Sequence, residues 1–290
     1  MPSINVRERL HALGPGLIAA TSFGICDTLA KLILAGGVDA LTLALIRGVV
    51  GLGVMILYLR VGEPAVPHTP RARAFALALG VLFAAIVFGL FKAIDLTTVP
   101  VAVLIYFVYP LLTGIGGAIF GVERLGWRGI AAALAAFCGL ALMIGAYPQH
   151  LSVAGIGFAL GAAVCRATFL LVARVELQKS DPRLTTWHSL VSSTLVFAVA
   201  AAATMNWNSP HTAGGWVLVL ILSIGVALAT LTLYISTVRI GPFRSALIMN
   251  LEPLLATLLS AVLLGEVITP LQALGAAVML AALVVFQLRR

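Results

Sequence analysis

The chain has 290 residues, of which 61% are hydrophobic and only 10% are charged, and its mean hydropathy is +1.12. So few charged side chains cannot cover the surface of a water-soluble protein of this length, which excludes an ordinary soluble enzyme or binding domain. The formal net charge of +8 would suit nucleic acid, but the basic residues are spread along the chain. We therefore expect the lipid bilayer, and no nucleic acid, as the partner.

The apolar residues form runs of the length that a bilayer requires. A helix that rises 1.5 Å per residue needs about 20 residues to cross about 30 Å of hydrocarbon. We predict an all-α integral membrane protein, a single membrane domain over 1–290 with ten transmembrane helices. The predicted helices cover roughly 14–34, 40–59, 74–94, 100–120, 127–146, 153–177, 184–204, 215–238, 243–264 and 270–288.

The second half of the chain repeats the first. When each residue is compared with the residue about 143 positions later, the matches include Pro110 with Pro253, Glu123 with Glu266, Lys31 with Arg174, and Phe91 with Tyr234. The pseudo-repeats cover 1–147 and 148–290. Because each repeat holds five spans, an odd number, the two copies are expected to lie inverted in the bilayer, as in many transporters.

The distribution of basic residues predicts the orientation. If the ten helices alternate in direction, one side of the membrane collects 14 of the 18 Lys and Arg residues, and the other side has at most Lys31 and Lys92. The positive-inside rule then places both termini in the cytoplasm. We expect a multi-pass protein of a bacterial-type inner (cytoplasmic) membrane.

Polar side chains inside the spans are costly in lipid and must face protein or water, so they are the first candidates for a binding site. An amino-acid cargo needs acceptors for its ammonium, donors for its carboxylate and an apolar wall for its side chain. The candidate acceptors are Asp27 and Glu252, the candidate donors are Thr21, Ser22, Arg166 and Asn250, and the candidate walls are Phe83, Phe88, Tyr106 and Tyr234.

Several of these charges also have structural interpretations. Asp27 and Lys31 lie four residues apart on one helical face and can neutralise each other locally. Arg47 is expected to anchor one helix to another, and His188 either forms a helix-end hydrogen bond or takes part in proton coupling.

Two prolines fall in the middle of predicted helices at corresponding positions of the repeats. A proline removes a backbone donor and clashes with the carbonyl four residues earlier, so Pro110 and Pro253 should kink their helices. Paired kinks in inverted repeats predict a midplane site at which helices present backbone polar groups. We interpret both prolines as gating residues.

Cysteines and glycines have mainly structural interpretations. The three cysteines lie inside spans without the spacing of a zinc site or a disulfide framework, so no metal or cofactor is expected. Glycines in the predicted fourth and sixth helices, including Gly114, Gly155, Gly157 and Gly161, are expected to allow close helix approach.

Sequence elements in the second repeat resemble the drug/metabolite transporter superfamily, specifically its EamA-like ten-helix branch. These elements are the segment from Tyr234 to Ile248, the Leu251-Glu252-Pro253 motif and the Leu264-Gly265-Glu266 motif. The first repeat carries a weaker form, with Tyr109 in place of Glu252 and an extra residue in Gly121-Val122-Glu123. Within this branch the chain is most similar to the aromatic amino-acid exporters of the YddG type.

The resemblance implies a secondary transporter that exports small metabolites, aromatic or large neutral amino acids, by alternating access through a central cavity. A carrier for another small metabolite or a drug is the alternative. We expect the protein to be a monomer or a homodimer. An intramembrane enzyme is disfavoured because the sequence has no recognisable metal-hydrolase, nucleophile-elbow or P-loop motif. A channel is disfavoured because it has no evident filter sequence or charged ring.

Overall fold

The computed structural model describes residues 6–123, 125–145, 152–205, 207–265 and 267–288. Glu266 and three of the counted basic residues, Arg124, Arg289 and Arg290, lie outside these ranges. The described residues form twelve α-helices: α1 (Val6–Ala35), α2 (Ala40–Val61), α3 (Pro70–Leu96), α4 (Val99–Tyr106), α5 (Tyr109–Ile119), α6 (Trp127–Ile144), α7 (Val153–Glu176), α8 (Pro182–Thr204), α9 (Ala213–Ile240), α10 (Pro242–Ile248), α11 (Leu251–Leu264) and α12 (Pro270–Leu288).

The twelve helices make ten segments long and apolar enough to cross a membrane, because α4 with α5 and α10 with α11 each form one broken span. The prediction of ten transmembrane helices is confirmed, and each span lies within a few residues of its predicted range. The protein is therefore a multi-pass membrane protein. We call the side on which α1 begins and α12 ends the terminal side.

Several helices begin where a short polar side chain satisfies the free backbone N–H groups of the first turn. Asp39 accepts hydrogen bonds from the N–H groups of Leu41 and Thr42, at 2.9 and 3.0 Å. Thr69, Ser152, Asp181 and Thr212 cap α3, α7, α8 and α9 in the same way. Such caps stabilise a helix by typically about 1 kcal/mol, so these residues fix where the spans start.

Helix starts repeat along the chain with the spacing seen in the sequence. The helices α3, α4 and α6 begin at Pro70, Val99 and Trp127, and their counterparts begin at Ala213, Pro242 and Pro270. Each half contains five spans, so corresponding helices cross the bilayer in opposite directions. The structure has the predicted architecture of two inverted five-helix repeats.

The two halves pack into each other and not side by side. Helix α1 packs on α9, and its counterpart α7 packs on α3, while α2 pairs with α8 and α6 with α12. Close approach between α1 and α11 depends on Gly24, where a Cβ atom would lie 2.9 Å from the Glu252 carbonyl oxygen. This contact brings the first two turns of α11, which include Glu252, against the part of α1 that carries Asp27.

Candidate functional site

Two carboxyl groups meet at the middle of the helix bundle. Asp27 of α1 and Glu252 of α11 are hydrogen-bonded to each other through their side chains. Asp27 is exposed and Glu252 half-buried, although both are well inside their spans. A carboxyl group facing lipid would be very costly, so the pair borders an internal space that water can enter.

Three cations surround this carboxyl pair. Lys31, Arg47 and Arg166 all lie within electrostatic range of Asp27, and Arg166 also lies within range of Glu252. The Lys31 Nζ donates to Ser260 Oγ on α11 at 3.4 Å, so it does more than neutralise Asp27 locally. These five groups carry three potential positive and two potential negative charges, and a site with this excess can accept an additional anionic group.

Arg166 on α7 is the most enclosed of the cations, with only 4% of its surface exposed. Its guanidinium carbon lies 5.7 Å from the ring centroids of Phe23 and Tyr109 and 5.6 Å from that of Phe169. Its side chain is hydrogen-bonded to Tyr109, but its Nε is buried without a hydrogen-bond partner among the described residues. A buried donor without a partner costs about 1–3 kcal/mol, which a bound acceptor would recover.

Arg47 on α2 has a similar environment. Its guanidinium carbon lies 5.7 Å from the Phe83 ring and 5.8 Å from the Phe197 ring, within cation–π range. Its Nη2 is buried, again with no hydrogen-bond partner in the described part of the chain. The expected anchoring of α2 on neighbouring helices agrees with these ring contacts, and the unpaired nitrogen adds a second donor near Asp27.

Aromatic rings form the apolar part of the site. The Tyr106 ring is 5.3 Å from Phe107 and 5.2 Å from Tyr109, so three rings cluster where α4 ends and α5 begins. Phe169, which also lies against Arg166, stacks on Tyr234 at 5.3 Å with an interplanar angle of 23°. The Tyr234 hydroxyl lies beside Ser189, short of hydrogen-bond geometry.

Both broken spans break just before a proline. Helix α4 ends at Tyr106 and α5 starts at Tyr109, so Pro110 is the second residue of the new helix, and Pro253 is the third residue of α11. Each proline lacks the N–H that would continue the helix from four residues earlier. At the second break the Asn250 Nδ2 donates to the Leu247 carbonyl at 3.0 Å, so this predicted cargo donor is engaged with the backbone.

Three other candidates lie away from the charged cluster. Thr21 is exposed together with Ile18 and Ile25, on a stripe of α1 about 120° around the helix from Asp27. Ser22 is half-buried and lies about 140° around from Asp27. Phe88 is 54% exposed and contacts Phe158 edge to face at 6.2 Å, whereas Phe83 lies on Arg47.

The structure adds residues that the sequence analysis did not choose. The sequence analysis mentioned Tyr109 only because it stands in the first repeat where the second repeat has Glu252. In the structure it is fully buried and hydrogen-bonded to Arg166. Phe169, one turn after Arg166 on α7, places its ring against both Arg166 and Tyr234. Its spacing of three residues from Arg166 was the signal that could have identified it. Among the described residues, no group of three His, Cys, Asp or Glu side chains is placed to hold a metal ion.

Comparison with known proteins identifies the family and supports the fold. The model of the EamA-like transporter family matches residues 13–145 and again 153–287, once in each half. A crystal structure of another protein superposes with a TM-score of 0.77 over 94% of this chain and 96% of its own, at 20% sequence identity, which supports the fold. Among curated proteins, none matches the sequence. The two family matches together span nearly all of the chain, which therefore belongs to the EamA-like transporter family, a family of small-molecule transporters.

Proposed function

We propose that this protein exports aromatic or large neutral amino acids by alternating access, with the cargo bound between Arg166 and the Asp27–Glu252 pair. The single observation that carries the proposal is the buried Arg166 guanidinium, held among aromatic rings with its Nε unpaired. It combines a positive charge with an apolar surrounding. A cargo with a carboxylate next to an apolar side chain matches both features.

The carboxylate of the cargo is assigned to Arg166. A guanidinium presents several N–H donors in a fixed plane and forms strong charge-assisted hydrogen bonds with a carboxylate. Arg47, whose Nη2 is also unpaired, adds a second positive charge close by. The cluster therefore offers two cations for the carboxylate of the cargo and two acids for its ammonium.

The ammonium of the cargo is assigned to Asp27 and Glu252. Two carboxyl groups in hydrogen-bond contact hold a proton between them, which leaves about one negative charge on the pair. A cargo ammonium can bind to that charge. With Arg166 within electrostatic range of Glu252, the two charged ends of an α-amino acid would be held together.

The side chain of the cargo is assigned to the aromatic wall formed by Tyr106, Tyr109, Phe169 and Tyr234. Aromatic pairs add about 0.5–1.5 kcal/mol beyond the burial of their surface, which favours an aromatic side chain over a small one. The resemblance of the sequence to aromatic amino-acid exporters of the YddG type supports the same cargo. Phe83, against Arg47, would extend this wall.

Alternating access is supported by the broken spans. The helices α4 and α5, and their counterparts α10 and α11, break at corresponding positions near the membrane midplane, beside the charged cluster. Inverted-repeat carriers expose such a site to one side and then to the other by movement of one repeat against the other. Pro110 and Pro253 would maintain the breaks at which the half-helices move.

We place the terminal side in the cytoplasm of a bacterial-type inner membrane, because the basic connections lie on that side. Arg71 and Arg183, in the first turns of α3 and α8, lie on the terminal side. A topology reporter fused after residue 290 should register the cytoplasm, and one inserted near Asn208 should register the other side. Reports of the reverse would contradict this orientation.

The experiment that tests the cargo is counterflow in proteoliposomes. Vesicles loaded with unlabelled phenylalanine should accumulate labelled phenylalanine saturably. External competitors then separate the roles of the three groups. Phenethylamine, which lacks the carboxylate, 3-phenylpropionate, which lacks the ammonium, and glycine, which lacks the side chain, should each compete poorly.

The results distinguish the proposed cargo from its alternatives. Competition by 3-phenylpropionate as strong as that by phenylalanine would favour a carrier of amphipathic carboxylates. No counterflow of any amino acid, with counterflow of another metabolite, would reject the amino-acid assignment. Flux without saturation would reject the carrier mechanism itself.

A further inference from the structure

The helices α6 and α12 form an antiparallel pair that is tightly packed at one end only. Near the non-terminal side, a Cβ atom at Gly139 would lie 2.7 Å from the Gly275 carbonyl oxygen, and one at Gly275 would lie 2.5 Å from the Gly139 carbonyl oxygen. Met143 and Met279 are buried beside this contact. The two backbones therefore touch where both residues lack a side chain.

Towards the terminal side the same two helices separate. A cleft of about 1030 Å³ opens between them, and most of the side chains that line it are apolar. These include Ala131, Ala132, Ala135, Val278, Ala281 and Ala282. The cleft extends from Trp127, at the start of α6, to Ala135, which is about 12 Å along the helix. It thus runs from the membrane surface into the hydrocarbon region.

The internal repeat explains why one end is open and the other closed. Ala132 corresponds to Gly275 in the second repeat, and Ala282 corresponds to Gly139 in the first. Where the glycines face each other the backbones touch, whereas the corresponding positions at the open end carry alanine methyl groups that line the cleft. The two ends of the pair therefore differ at repeat-related positions, with glycine at the closed end and alanine at the open end.

The mouth of the cleft is charged and lies at the membrane surface. Arg128 and Arg244 line it, together with the Trp127 ring, which is 73% exposed. The third charged residue is Glu123, whose Oε2 accepts a hydrogen bond from the Phe243 N–H at 3.0 Å. Burial raises the pKa of the Glu123 carboxyl, against the opposing effects of Arg174 and Arg244. The mouth therefore carries more positive than negative charge.

We propose that this cleft binds an anionic phospholipid of the bilayer, with its phosphate at Arg128 and Arg244 and one acyl chain between α6 and α12. The charge of the mouth complements a phosphodiester, and basic pockets between transmembrane helices are known to hold anionic lipid head groups. The apolar walls can make dispersion contacts with an acyl chain. Their side chains have no hydrogen-bonding groups for a polar ligand. Trp127 lies at the depth where tryptophan contacts the head-group region.

The test is lipid binding to the purified full-length protein. The delipidated protein in detergent is mixed with phosphatidylglycerol or with phosphatidylcholine of the same acyl chains, and native mass spectrometry counts the bound lipids. We expect one phosphatidylglycerol to be retained in preference to phosphatidylcholine. Since each basic residue near a lipid surface contributes binding worth about fivefold in affinity, Arg128→Gln should lower phosphatidylglycerol retention by about that factor. Arg60→Gln, at an exposed position outside the cleft, is the matched control.

Variants that fill the cleft test the acyl-chain site. Ala132→Leu and, independently, Ala282→Leu should lose the retained lipid, whereas Ala273→Leu, at an exposed position near the other end of α12, should keep it. A size-exclusion profile shows whether each filling variant is folded. If one of the two is misfolded, the other provides the test. Equal retention of both lipids by the parent protein, or unchanged retention after both fillings, would overturn the proposal. The proposal would also be overturned if the parent protein were a dimer and the filling variants were monomers that still retained the lipid. The cleft would then bind a second copy of the protein and not a lipid.

Discussion

The Asp27 carboxyl on α1 is hydrogen-bonded to the Glu252 carboxyl on α11. Two ionised carboxylates repel each other, so this contact requires a proton between them, and the titration of one group is tied to that of the other. The nearby Lys31, Arg47 and Arg166 stabilise the charge that remains. We therefore infer that the pair shares one proton, which a cargo ammonium could displace.

We predict that transport depends on this shared proton. Glu252→Gln keeps the shape of the side chain and its hydrogen-bonding capacity but leaves only one titratable group in the pair. Efflux of labelled phenylalanine driven by an inward proton gradient should then fall towards the rate without a gradient, while counterflow at equal pH persists at a reduced level. Asp27→Asn should behave alike. If the parent protein shows the same efflux with and without a gradient, the pair does not couple transport to protons.

Arg166 provides the second prediction. Arg166→Lys keeps a positive charge but loses the planar set of donors, and hydrogen bonds to charged groups contribute about 1.5–3 kcal/mol. We expect the apparent affinity for phenylalanine to fall by roughly ten- to a hundredfold. Competition by phenethylamine should change little, because that compound has no carboxylate. Arg60→Lys serves as the surface control. A loss of affinity for phenethylamine equal to the loss for phenylalanine would contradict the assignment of the cargo carboxylate to Arg166.

Most of the fold could be predicted from the sequence, because the bilayer restricts the choices. The ten spans followed from the length of the apolar runs, and the repeat followed from matched pairs such as Pro110 and Pro253. The breaks near those prolines followed from backbone chemistry. All of these depend on local sequence and on distances along the chain.

The candidate site could be predicted less well, since it depends on how helices rotate about their axes. Asp27 and Glu252 were chosen for their charge, and the structure brings them together. Thr21 and Phe88 have suitable chemistry but lie on exposed stripes. Glycine packing shows the same limit: Gly155 approaches Leu96 and Thr97, whereas Gly157 and Gly161 meet open space. No local pattern distinguishes these faces in helices that are apolar nearly all round.

The third prediction concerns Gly241, which joins α9 to α10. Its φ of 96° and ψ of 158° lie in a region that only glycine adopts without strain, and a Cβ atom there would overlap Glu123 Oε1. Gly241→Ala should therefore destabilise the protein by about 1–3 kcal/mol and weaken the Glu123 cap on α10. Thermal unfolding in detergent measures this. Gly53→Ala, where the added methyl meets open space, should leave the melting temperature unchanged or slightly raised.

The fourth prediction concerns the paired breaks. Pro110→Ala supplies an N–H that can bond to the Tyr106 carbonyl, and Pro253→Ala supplies one for the Met249 carbonyl, which now accepts from the Glu252 N–H at 3.0 Å. Continuous helices should stabilise one conformation, so we expect slower counterflow with unchanged or higher thermal stability. Pro15→Ala, in the first third of α1, is the control. Parental transport rates in both break variants would show that the breaks take no part in the mechanism.

The last prediction concerns the aromatic wall, at the stacked pair of Tyr234 and Phe169. Tyr234→Ala removes a ring that contributes about 0.5–1.5 kcal/mol to an aromatic contact, so the affinity for phenylalanine should fall by a few- to about tenfold. The affinity for a small amino acid such as alanine should change less.

Tyr234→Phe keeps the ring, and because the hydroxyl makes no geometrically good hydrogen bond it should transport at nearly the parental rate. Since Tyr234 is only 2% exposed, its truncation also leaves a cavity, so the melting temperature of each variant must be measured beside its transport. Equal loss for large and small cargo, in step with lost stability, would identify Tyr234 as a core residue and leave the cargo wall to Tyr106 and Tyr109.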